Sequence, residues 1–295
     1  MCARETVVDQ VYDKRCFMSN EHTQTLSGWR DAIDTALRAV SVFDTPEKTG
    51  QAGAQRLQES CAYVLNGGGK RLRGLLACST WSDVAGRPAA GACRAVSSAV
   101  ALEVLHAASL VHDDLPALDN DDVRRGKPSC HKAFNEATAI LTGDVLLGAA
   151  LVNVCSDGAL STDEQARLVR IIATAWRDLC VGQQLDLTQD SAETNQRERQ
   201  EMIRLKTGAL FGAAVACGAL CAGERNSRVQ EFYRWGVRVG ECFQALDDLD
   251  DGDRPASDRE MIQRECSAVR EAALHLAPSL AHGVTAQCVD MILPR

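Results

Sequence analysis

The sequence predicts an all-α fold, a single domain built as one large bundle of about ten helices. Three observations predict it. Aromatic residues make up only 4% of the chain, and Ala, Leu, Arg, Glu and Gln dominate, which favours helix over strand. Apolar residues recur at helical spacing over long segments. No linker rich in Pro or Ser and no repeat divides the 295 residues.

Eight segments show the helical periodicity, and helix-breaking stretches separate most of them. The segments are residues 28–42, 53–66, 71–85, 89–114, 131–156, 162–188, 198–222 and 228–250. The breakers are NGGG at 66–69, AGRP at 85–88, RRGKP at 124–128, CSDGALST at 155–162 and AGERNS at 222–227. Helices between residues 131 and 222 carry many small residues, which allow close helix approach or line a cavity. Residues 1–25 are expected to form a poorly ordered extension.

Composition excludes several classes of protein. The net charge of -8 argues against a nucleic-acid binder, whose phosphate contacts need a basic surface. No continuous apolar stretch near the N-terminus predicts a secretory signal. The longest uncharged run, Ala209–Gly223, is too short to span a bilayer, which takes about 20 apolar residues. The 13 cysteines form no CxxC pair, so we expect buried thiols in a reducing, cytoplasmic compartment.

An acidic cluster ends the apolar segment 89–114, in the stretch Ser109–Asp122 (SLVHDDLPALDNDD). Its aspartates are Asp113, Asp114, Asp119, Asp121 and Asp122. Carboxylates about 4 Å apart repel by roughly 4 kcal/mol at an effective dielectric constant of 20, and a helix C-terminus disfavours negative charge further. Pro116 disfavours helical geometry at the preceding residue, so the chain should bulge and bring Asp119 back beside Asp113. The cluster is either a solvated loop or a site of hard oxygen ligands, as Mg²⁺ prefers.

A second acidic cluster, FQALDDLDDGD at Phe243–Asp253, also follows an apolar helix. The i, i+3 and i+4 spacing places Asp247, Asp248 and Asp251 on one helix face. Two such clusters, each at a helix C-terminus, are a strange coincidence if their only role is solubility. If both helix ends face one cavity, metal ions between them would hold a polyphosphate.

Three basic motifs supply the opposite charge. NGGGKRLRG at 66–74 is a glycine turn before a helix, suited to gripping a phosphate through backbone N–H groups and cations. VRRGKP at 123–128 follows the first cluster, and RLKTGAL at 204–210 lies on another helix. Their residues of interest are Lys70, Arg71, Arg73, Arg124, Arg125, Lys206 and Thr207. Mutual salt bridges are the alternative, but the acids outnumber these cations, which suits metal ions with an anionic ligand.

These motifs carry a resemblance. DDLPALD and DDLDD resemble the two aspartate-rich motifs of the trans-isoprenyl diphosphate synthases, and GGGKRLRG, NDDVRRGKP, LTGDVLL, GQQLDL, KTGALF and FQ resemble the family's other landmarks, in the same order. The likeness runs from about residue 40 to 251, and points to the short-chain bacterial and plastid type. It implies a helical bundle around a central cavity, usually a homodimer, that condenses isopentenyl diphosphate with an allylic diphosphate of C5 to C15.

The resemblance also implies a role for each site residue. Mg²⁺, replaceable by Mn²⁺ and three ions per site, is held by Asp113, Asp119 and Asp247, with Asp251 as a further ligand and Asp114 and Asp248 assisting. The allylic diphosphate binds Arg124 and Lys206, while isopentenyl diphosphate binds Lys70, Arg73, His106 and Arg125. The Lys206 carbonyl, Thr207 and Gln244 stabilise the allylic cation, and Gln183 and Asp186 support the site. Helix packing is the alternative role for His106, and His112 is expected to be a structural partner.

One departure from the family follows the second cluster. There the family continues with a Gly-Lys pair and a Lys-Thr-Tyr-like segment on a loop that closes over the substrate. Here the chain reads DGDRPASDREMIQRECSAVREAALH, so we expect a shortened lid after residue 251, with Arg254 and Arg259 as candidate replacements for the lysine. The rival hypothesis is a weakly active or non-catalytic subunit of a heteromeric synthase, but both acidic clusters are intact. A terpene cyclase would carry an Asn/Ser/Glu-type second metal motif, which this chain lacks.

Side chains along segment 89–114 predict the product length, because each helical turn of about 5.4 Å matches roughly one isoprene unit. Bacterial farnesyl synthases place a bulky aromatic five residues before the first aspartate, where this chain has Ala108, followed by Ser109. The cavity floor should lie deeper, near Leu105, Ala101 and Leu102. Geranylgeranyl diphosphate (C20) is the predicted product and farnesyl diphosphate the alternative. Closure of the cavity at the same depth by Leu141 or Leu147 is the competing possibility.

Overall fold

The computed structural model describes residues 20–40, 52–86, 93–188 and 196–294. Within these ranges the chain is almost entirely helical, and the β-structure is a single antiparallel pair of two-residue strands. The predicted all-α fold is confirmed. The elements are α1 (Asn20–Ala39), α2 (Ala52–Leu65), α3 (Leu72–Ala85), α4 (Val96–Asp113), β1 (Val123–Arg124), β2 (Lys127–Pro128), α5 (Cys130–Ala133), α6 (Glu136–Cys155), α7 (Thr162–Leu187), α8 (Gln196–Ile203), a π-helical turn (Arg204–Gly208), α9 (Ala209–Cys221), α10 (Asn226–Asp250), a 3-10 turn (Ala256–Asp258), α11 (Arg259–Leu276), α12 (Pro278–His282) and α13 (Val284–Ile292).

Helix α9 is the central element of the bundle, because all 13 of its residues are buried. It packs against α3, α7 and α10. At Gly218 in α9 a side chain has no room, because an added Cβ would collide with the carbonyl oxygen of Ala77 in α3. At Gly236 in α10 an added Cβ would lie 2.7 Å from the carbonyl oxygen of Phe211. The small residues of α9 therefore let the helices approach closely, one of the two roles that the sequence predicted for them.

Helix α1 begins at Asn20, earlier than the sequence predicted. Its buried stripe, Leu26, Trp29, Ile33 and Leu37, has helical spacing and packs on the bundle core. The turn before this stripe is also helical, so the predicted extension over residues 1–25 is wrong for residues 20–25. Residues 1–19 lie outside the described part of the chain.

Two predicted helices have different boundaries in the structure. The segment 131–156 is interrupted after α5, where the Asn135 side chain accepts a 2.7 Å hydrogen bond from the backbone N–H of Thr138 and caps α6. The apolar spacing continues through this break, which hid it. The segment 89–114 becomes helical at Val96, and residues 87–92 lie outside the described ranges.

Three helices, α11 to α13, follow the second acidic cluster, where the sequence analysis defined no segment. Helix α11 runs back along α10, and the Trp235 indole donates a 2.9 Å hydrogen bond to the Val269 carbonyl. Helices α12 and α13 pack on α3. The Asp83 carboxylate of α3 accepts hydrogen bonds from the backbone N–H groups of Val284 (3.1 Å) and Thr285 (2.7 Å), which caps α13. This part of the chain therefore packs along α10 and α3.

Two helical runs among the described residues are long and apolar enough to cross a membrane by length and composition alone: Glu136–Cys155 and Gln196–Cys221. The second is 89% buried over its apolar window, as a core helix is, whereas the first is 33% buried. The sequence analysis considered only the uncharged run Ala209–Gly223 and did not single out α6, which contains Asp144.

Candidate active site

The first acidic cluster lies where α4 ends and the chain folds back on itself. The backbone N–H of Asp119 donates a 2.8 Å hydrogen bond to the Asp113 carbonyl, and that of Asn120 donates to the Leu115 carbonyl at 3.1 Å. Asn120 has a φ of 52°, a left-handed conformation that asparagine tolerates well. The predicted bulge at Pro116 is therefore present, and it brings Asp119 next to Asp113.

Asp114 is buried and holds the first hairpin arginine. One of its carboxylate oxygens accepts from both Nε (2.9 Å) and a terminal nitrogen (2.5 Å) of Arg124, and Arg124 also donates to Asp121 at 2.9 Å. Only 2% of Asp114 is exposed, so losing this partner would leave a buried carboxylate uncompensated. Asp114 therefore positions Arg124 beside the cluster.

Asp113 is half-buried and has no ion-pair partner among the described residues. Burial raises its pKa to about 6, the charges of Asp119 and Asp114 add to the shift, and Lys206 and Arg124 oppose it. Desolvation of Asp113 therefore outweighs the favourable charges of the two cations.

The second acidic cluster ends α10, with Asp247 and Asp251 exposed on its outer side. The backbone N–H of Asp251 donates to the Asp247 carbonyl at 2.9 Å, so the helical turn extends through both residues. Desolvation raises the pKa of Asp247, the charges of Asp251 and Asp248 add to it, and Lys70 opposes it. Lys70, from the glycine turn, therefore lies within electrostatic reach of this cluster.

Asp248 differs from its neighbours because it is buried and fully engaged. One carboxylate oxygen accepts a 2.8 Å hydrogen bond from the Gln244 side chain. The other faces two arginines, with Arg199 of α8 at 3.2 Å and Arg254, from the loop after α10, at 3.4 Å. Asp248 thus joins α8, α10 and the following loop at one point.

The π-helical turn Arg204–Gly208 connects the two clusters. Lys206 donates a 2.5 Å hydrogen bond to Asp186 of α7, and its charge also acts on Asp113. The Thr207 hydroxyl donates to the Gln244 side-chain oxygen at 2.9 Å, and Gln244 in turn donates to Asp248. Single π-helical turns often mark functional sites, and this one points adjacent side chains at both clusters.

Helix α7 contributes two neighbouring residues of GQQLDL. Gly182 is required because a Cβ there would collide with the backbone of Lys206. Gln183 is 8% exposed, and neither atom of its side-chain amide has a hydrogen-bond partner among the described residues. Buried amides are nearly always paired, so Gln183 has hydrogen-bonding capacity to spare beside Lys206.

A basic group brings Arg73, His106 and Arg125 together. The Arg73 guanidinium lies 4.6 Å above the Phe211 ring, and burial lowers its pKa to about 10, with Glu103 opposing the shift, so it stays charged at neutral pH. Burial, together with the charges of Arg73 and Arg125, holds the pKa of His106 well below its ordinary value. His106 is therefore a neutral hydrogen-bonding group among cations.

The glycine turn and the β-hairpin contact each other through Arg125, which donates to the Gly68 carbonyl and has a left-handed φ of 53°. Arg71 also has a left-handed φ, of 55°, but its side chain is buried, with a 2.7 Å ion pair to Asp34 and a hydrogen bond to the Leu65 carbonyl. Arg71 therefore has a structural role, and Lys70, Arg73 and Arg125 stay the predicted diphosphate-binding residues.

The residues predicted to set the product length are buried in α4. Ala108 is 0% exposed, and Ser109 is 6% exposed with its hydroxyl donating to the His106 carbonyl. The predicted floor residues Ala101, Leu102 and Leu105 are also buried. Leu141 is 53% exposed on the outside of α6, so it does not close the cavity within this chain, whereas Leu147 is half-buried against the core.

His112 packs between helices, as expected for a structural residue. Its Nε2 lies 3.1 Å from the Ile140 carbonyl, and its ring is 6.4 Å from that of Trp176. Gly143, in LTGDVLL, has no room for a side chain because a Cβ would collide with the His112 ring.

Sequence analysis missed Arg199. It lies in the charged stretch QRERQEMI of α8, which has the composition of a solvated surface helix. Its contact with Asp248 spans 49 residues, and no local spacing announces it.

The donor set fits Mg²⁺. No three His, Cys, Asp or Glu side chains of the described ranges already converge on one point. Mg²⁺ does not need such a cage, because it commonly binds through one or two carboxylates, several waters and substrate phosphates. Asp113 and Asp247 offer carboxylate oxygens without an ion-pair partner among the described residues, which suits this kind of site.

Comparison with known proteins identifies the family. The polyprenyl synthetase family model matches residues 54–266. The chain belongs to the polyprenyl synthetase family. The family that the motifs predicted is therefore confirmed.

The relatives of this polyprenyl synthetase include bacterial and plant proteins. It is 36% identical over 231 residues to the farnesyl diphosphate synthase of Geobacillus stearothermophilus, covering 77% of this chain and 74% of the relative. It is 39% identical over 200 residues to the putative geranylgeranyl pyrophosphate synthase 8, chloroplastic, of Arabidopsis thaliana, covering 65% of this chain but only 54% of the relative. The chain thus spans about half the length of that plant protein.

Solved structures share the fold along nearly the whole chain. An FPP/GFPP synthase from Zymomonas mobilis has a TM-score of 0.76 and 27% identity, covering 94% of this chain and 99% of its own. A geranyltransferase from Legionella pneumophila has a TM-score of 0.76 and 27% identity, covering 92% and 96%.

Proposed function

We propose that this polyprenyl synthetase condenses isopentenyl diphosphate with an allylic diphosphate of C5 to C15. The observation that carries the proposal is the connection of two acidic clusters through one turn, from Asp113 through Lys206 and Thr207 to Gln244 and Asp248. A basic group of Lys70, Arg73, His106 and Arg125 lies near them. This arrangement suits two diphosphates, one bound through metal ions and one bound by cations directly.

Mg²⁺ would be held by Asp113, Asp119, Asp247 and Asp251, with Asp114 and Asp248 supporting them. When bound, it supplies Lewis-acid stabilisation of the departing diphosphate. Arg124 and Lys206 bind the same diphosphate. Their fixed positive charges stabilise the negative charge that develops on it as it leaves.

Isopentenyl diphosphate binds to the basic group, Lys70, Arg73, His106 and Arg125. The C–O bond of the allylic diphosphate breaks with both electrons on the diphosphate, and the isopentenyl double bond then attacks the allylic carbon. The proton lost afterwards goes to the released diphosphate. No protein nucleophile takes part in these steps.

The Thr207 hydroxyl donates a hydrogen bond to the Gln244 side-chain oxygen, so the lone pairs of the hydroxyl oxygen remain available to face a cation. The Lys206 carbonyl supplies a second dipole, and Asp186 holds the Lys206 side chain in place. Gln183, with its unpaired buried amide, is placed to pair with bound substrate.

The small residues Ala108 and Ser109 support a C20 product, geranylgeranyl diphosphate, over farnesyl diphosphate. Their size leaves α4 without a bulky side chain at the depth where a C15 tail would end.

The assembly proposed for this chain is a homodimer. Apolar side chains exposed on the packed helices α6 and α7 support it: Ile140 (46% exposed), Leu141 (53%), Val152 (55%) and Val181 (47%). Exposed apolar side chains on neighbouring helices suit an interaction surface. The proposed compartment is the cytoplasm, and the 11 cysteines in the described ranges are all free thiols, which suits a reducing environment.

Incubation of the purified chain with isopentenyl diphosphate, Mg²⁺ and C5, C10 or C15 allylic diphosphate tests the activity. We expect C20 product, no turnover in excess EDTA, and a dimeric mass by light scattering. If none of the three allylic substrates gives product, the activity is refuted and the chain is a non-catalytic subunit.

A further inference from the structure

Two arginines from outside the second acidic cluster contact one of its aspartates. Arg199 and Arg254 both face the same oxygen of Asp248, at 3.2 and 3.4 Å. The other oxygen is occupied by the Gln244 amide at 2.8 Å. One carboxylate therefore faces two guanidinium groups, so the three side chains together carry a net positive charge.

Both arginines are held at one point but remain partly open to solvent. Their side chains are 45% and 21% exposed for Arg199 and Arg254, whereas that of Asp248 is 11% exposed. The backbone N–H of Arg254 also donates to the Asp248 carbonyl at 3.1 Å, which fixes the loop as well as the side chain. Each guanidinium carries five N–H donors, so contact with one carboxylate oxygen leaves donors for an anion.

Arg259 has a different environment. It lies 3.8 Å from Asp250, and both side chains are more than half exposed. Asp250 lies one helical turn after Asp247, at the exposed edge of the cluster. Of the two arginines that follow the cluster in sequence, Arg254 contacts the buried Asp248, whereas Arg259 contacts the exposed Asp250.

The first cluster provides a parallel. There the second aspartate, Asp114, is buried and holds Arg124, one of the residues proposed to bind the allylic diphosphate. At the second cluster the second aspartate, Asp248, is also buried and holds Arg254 and Arg199. The same relation, a buried aspartate presenting an arginine beside exposed acids, occurs twice.

We infer that Arg254 and Arg199 form a second diphosphate-binding group that acts opposite Arg124 and Lys206. This inference rests on the proposed function. The pair supplies, from α8 and from the loop after α10, the positive charge that the family provides with a lysine in the segment that this chain lacks. The group binds the allylic diphosphate and does not contact the reacting carbon, so it affects binding more than turnover.

The test combines binding with kinetics in the full chain with Mg²⁺. Arg254→Ala, Arg199→Ala and the double variant are compared with Arg259→Ala, a matched control at the start of α11, and with Arg254→Lys, which keeps the charge. The binding probe is geranyl S-thiolodiphosphate, which is slow to ionise, measured by titration calorimetry. Circular dichroism verifies that each variant is folded.

We expect the Kd for the probe and the KM for the allylic substrate to rise about tenfold in each alanine variant and further in the double variant, because a charge-assisted contact is lost. The KM for isopentenyl diphosphate should change less than about threefold, and Arg259→Ala should match the parent. Arg254→Lys should recover part of the affinity.

Two results would overturn the inference without affecting the proposed function. One is an active parent in which Arg254→Ala and Arg199→Ala bind the probe as tightly as Arg259→Ala does. The other is a fall in kcat at unchanged Kd, which would assign both arginines to positioning Gln244 through Asp248. A parent that neither binds the probe nor turns over would instead refute the proposed function itself.

Discussion

The two acidic clusters follow one plan but obtain their counter-charge from different places. In each, the first aspartate lacks an ion-pair partner among the described residues, and the second is buried and holds arginine. The arginine of Asp114 comes from the hairpin, 10 residues along the chain. One arginine of Asp248 comes from α8, 49 residues away. The first cluster is therefore a local structure, whereas the second depends on how α8 packs beside α10.

The helices below the two clusters differ as well. One turn before Asp113 is Ser109, and one turn before Asp247 is Phe243, whose ring lies 5.4 Å from that of Phe211. At this depth α4 has small residues at Ala108 and Ser109, whereas α10 has the aromatic Phe243. Chain length should therefore be controlled from the side of the first cluster, and diphosphate binding from both.

The largest effect should come from removing the first aspartate of either cluster. Asp113→Ala and Asp247→Ala should each lower kcat by at least about 100-fold, because each removes a proposed metal ligand and its electrostatic contribution in the transition state. Asp250→Ala is the matched control, since it removes an exposed acid of the second cluster that pairs with Arg259 and is not a proposed metal ligand. Steady-state rates at saturating Mg²⁺ measure this. A loss below tenfold in both variants would instead support the alternative that the clusters are solvated loops without bound metal.

The second aspartates should have smaller and unequal effects. Asp114→Asn and Asp248→Asn keep the shape but remove the charge that orients the arginines, and losing such supporting contacts typically costs about 10-fold to 100-fold. Asp114→Asn should act mainly on the allylic KM, because Asp114 contacts Arg124, a residue proposed to bind the allylic diphosphate. Asp248→Asn should also lower kcat, because Gln244 and Thr207 depend on it. Equal effects on kcat and KM in both variants would contradict the difference between the clusters.

The pH dependence of metal binding should come mainly from the first cluster. The pKa of Asp113 is raised from 3.8 to about 6, and Mg²⁺ binds the deprotonated carboxylate. The affinity for Mg²⁺ should therefore fall as pH decreases through 6. The metal-free protein should show the opposite trend in stability, because a raised carboxylate pKa means that the folded state binds the proton more tightly than the unfolded state does. Its stability should decrease as pH rises from about 4 to 6.

Calorimetric Mg²⁺ titrations at pH 5 and pH 7.5, with melting curves of the metal-free protein, measure both trends. Asp113→Asn is the control, and it should flatten both. If the variant retains the parent's pH dependence, the titrating group is Asp247 or lies outside the clusters.

The sequence predicted those parts of the site whose causes are local. Pro116 brought Asp119 back to Asp113, helical spacing placed Asp247 and Asp251 together, and the motifs identified the family. It could not predict that Asp83 caps α13 or that Arg199 reaches Asp248, because such contacts depend on helix packing and leave no spacing in the sequence. The break at Asn135 was missed because one capping residue interrupts an otherwise continuous apolar pattern.

The smallest effect on rate, with the clearest change of product, should come from substitutions in α4 one turn before the first cluster. Ala108→Tyr inserts a ring where α4 has only small side chains, so the tunnel should close one turn higher and the product should change from C20 to C15. Because both clusters stay intact, kcat for the C10 substrate should remain within about fivefold of the parent. Ala108 is fully buried, and overpacking can unfold a core, so Ser109→Phe on the same turn is a second variant. Chromatography of dephosphorylated products measures the chain length. If both folded variants make the parent's product, α4 does not set the product length, and Phe243 of α10 becomes the candidate.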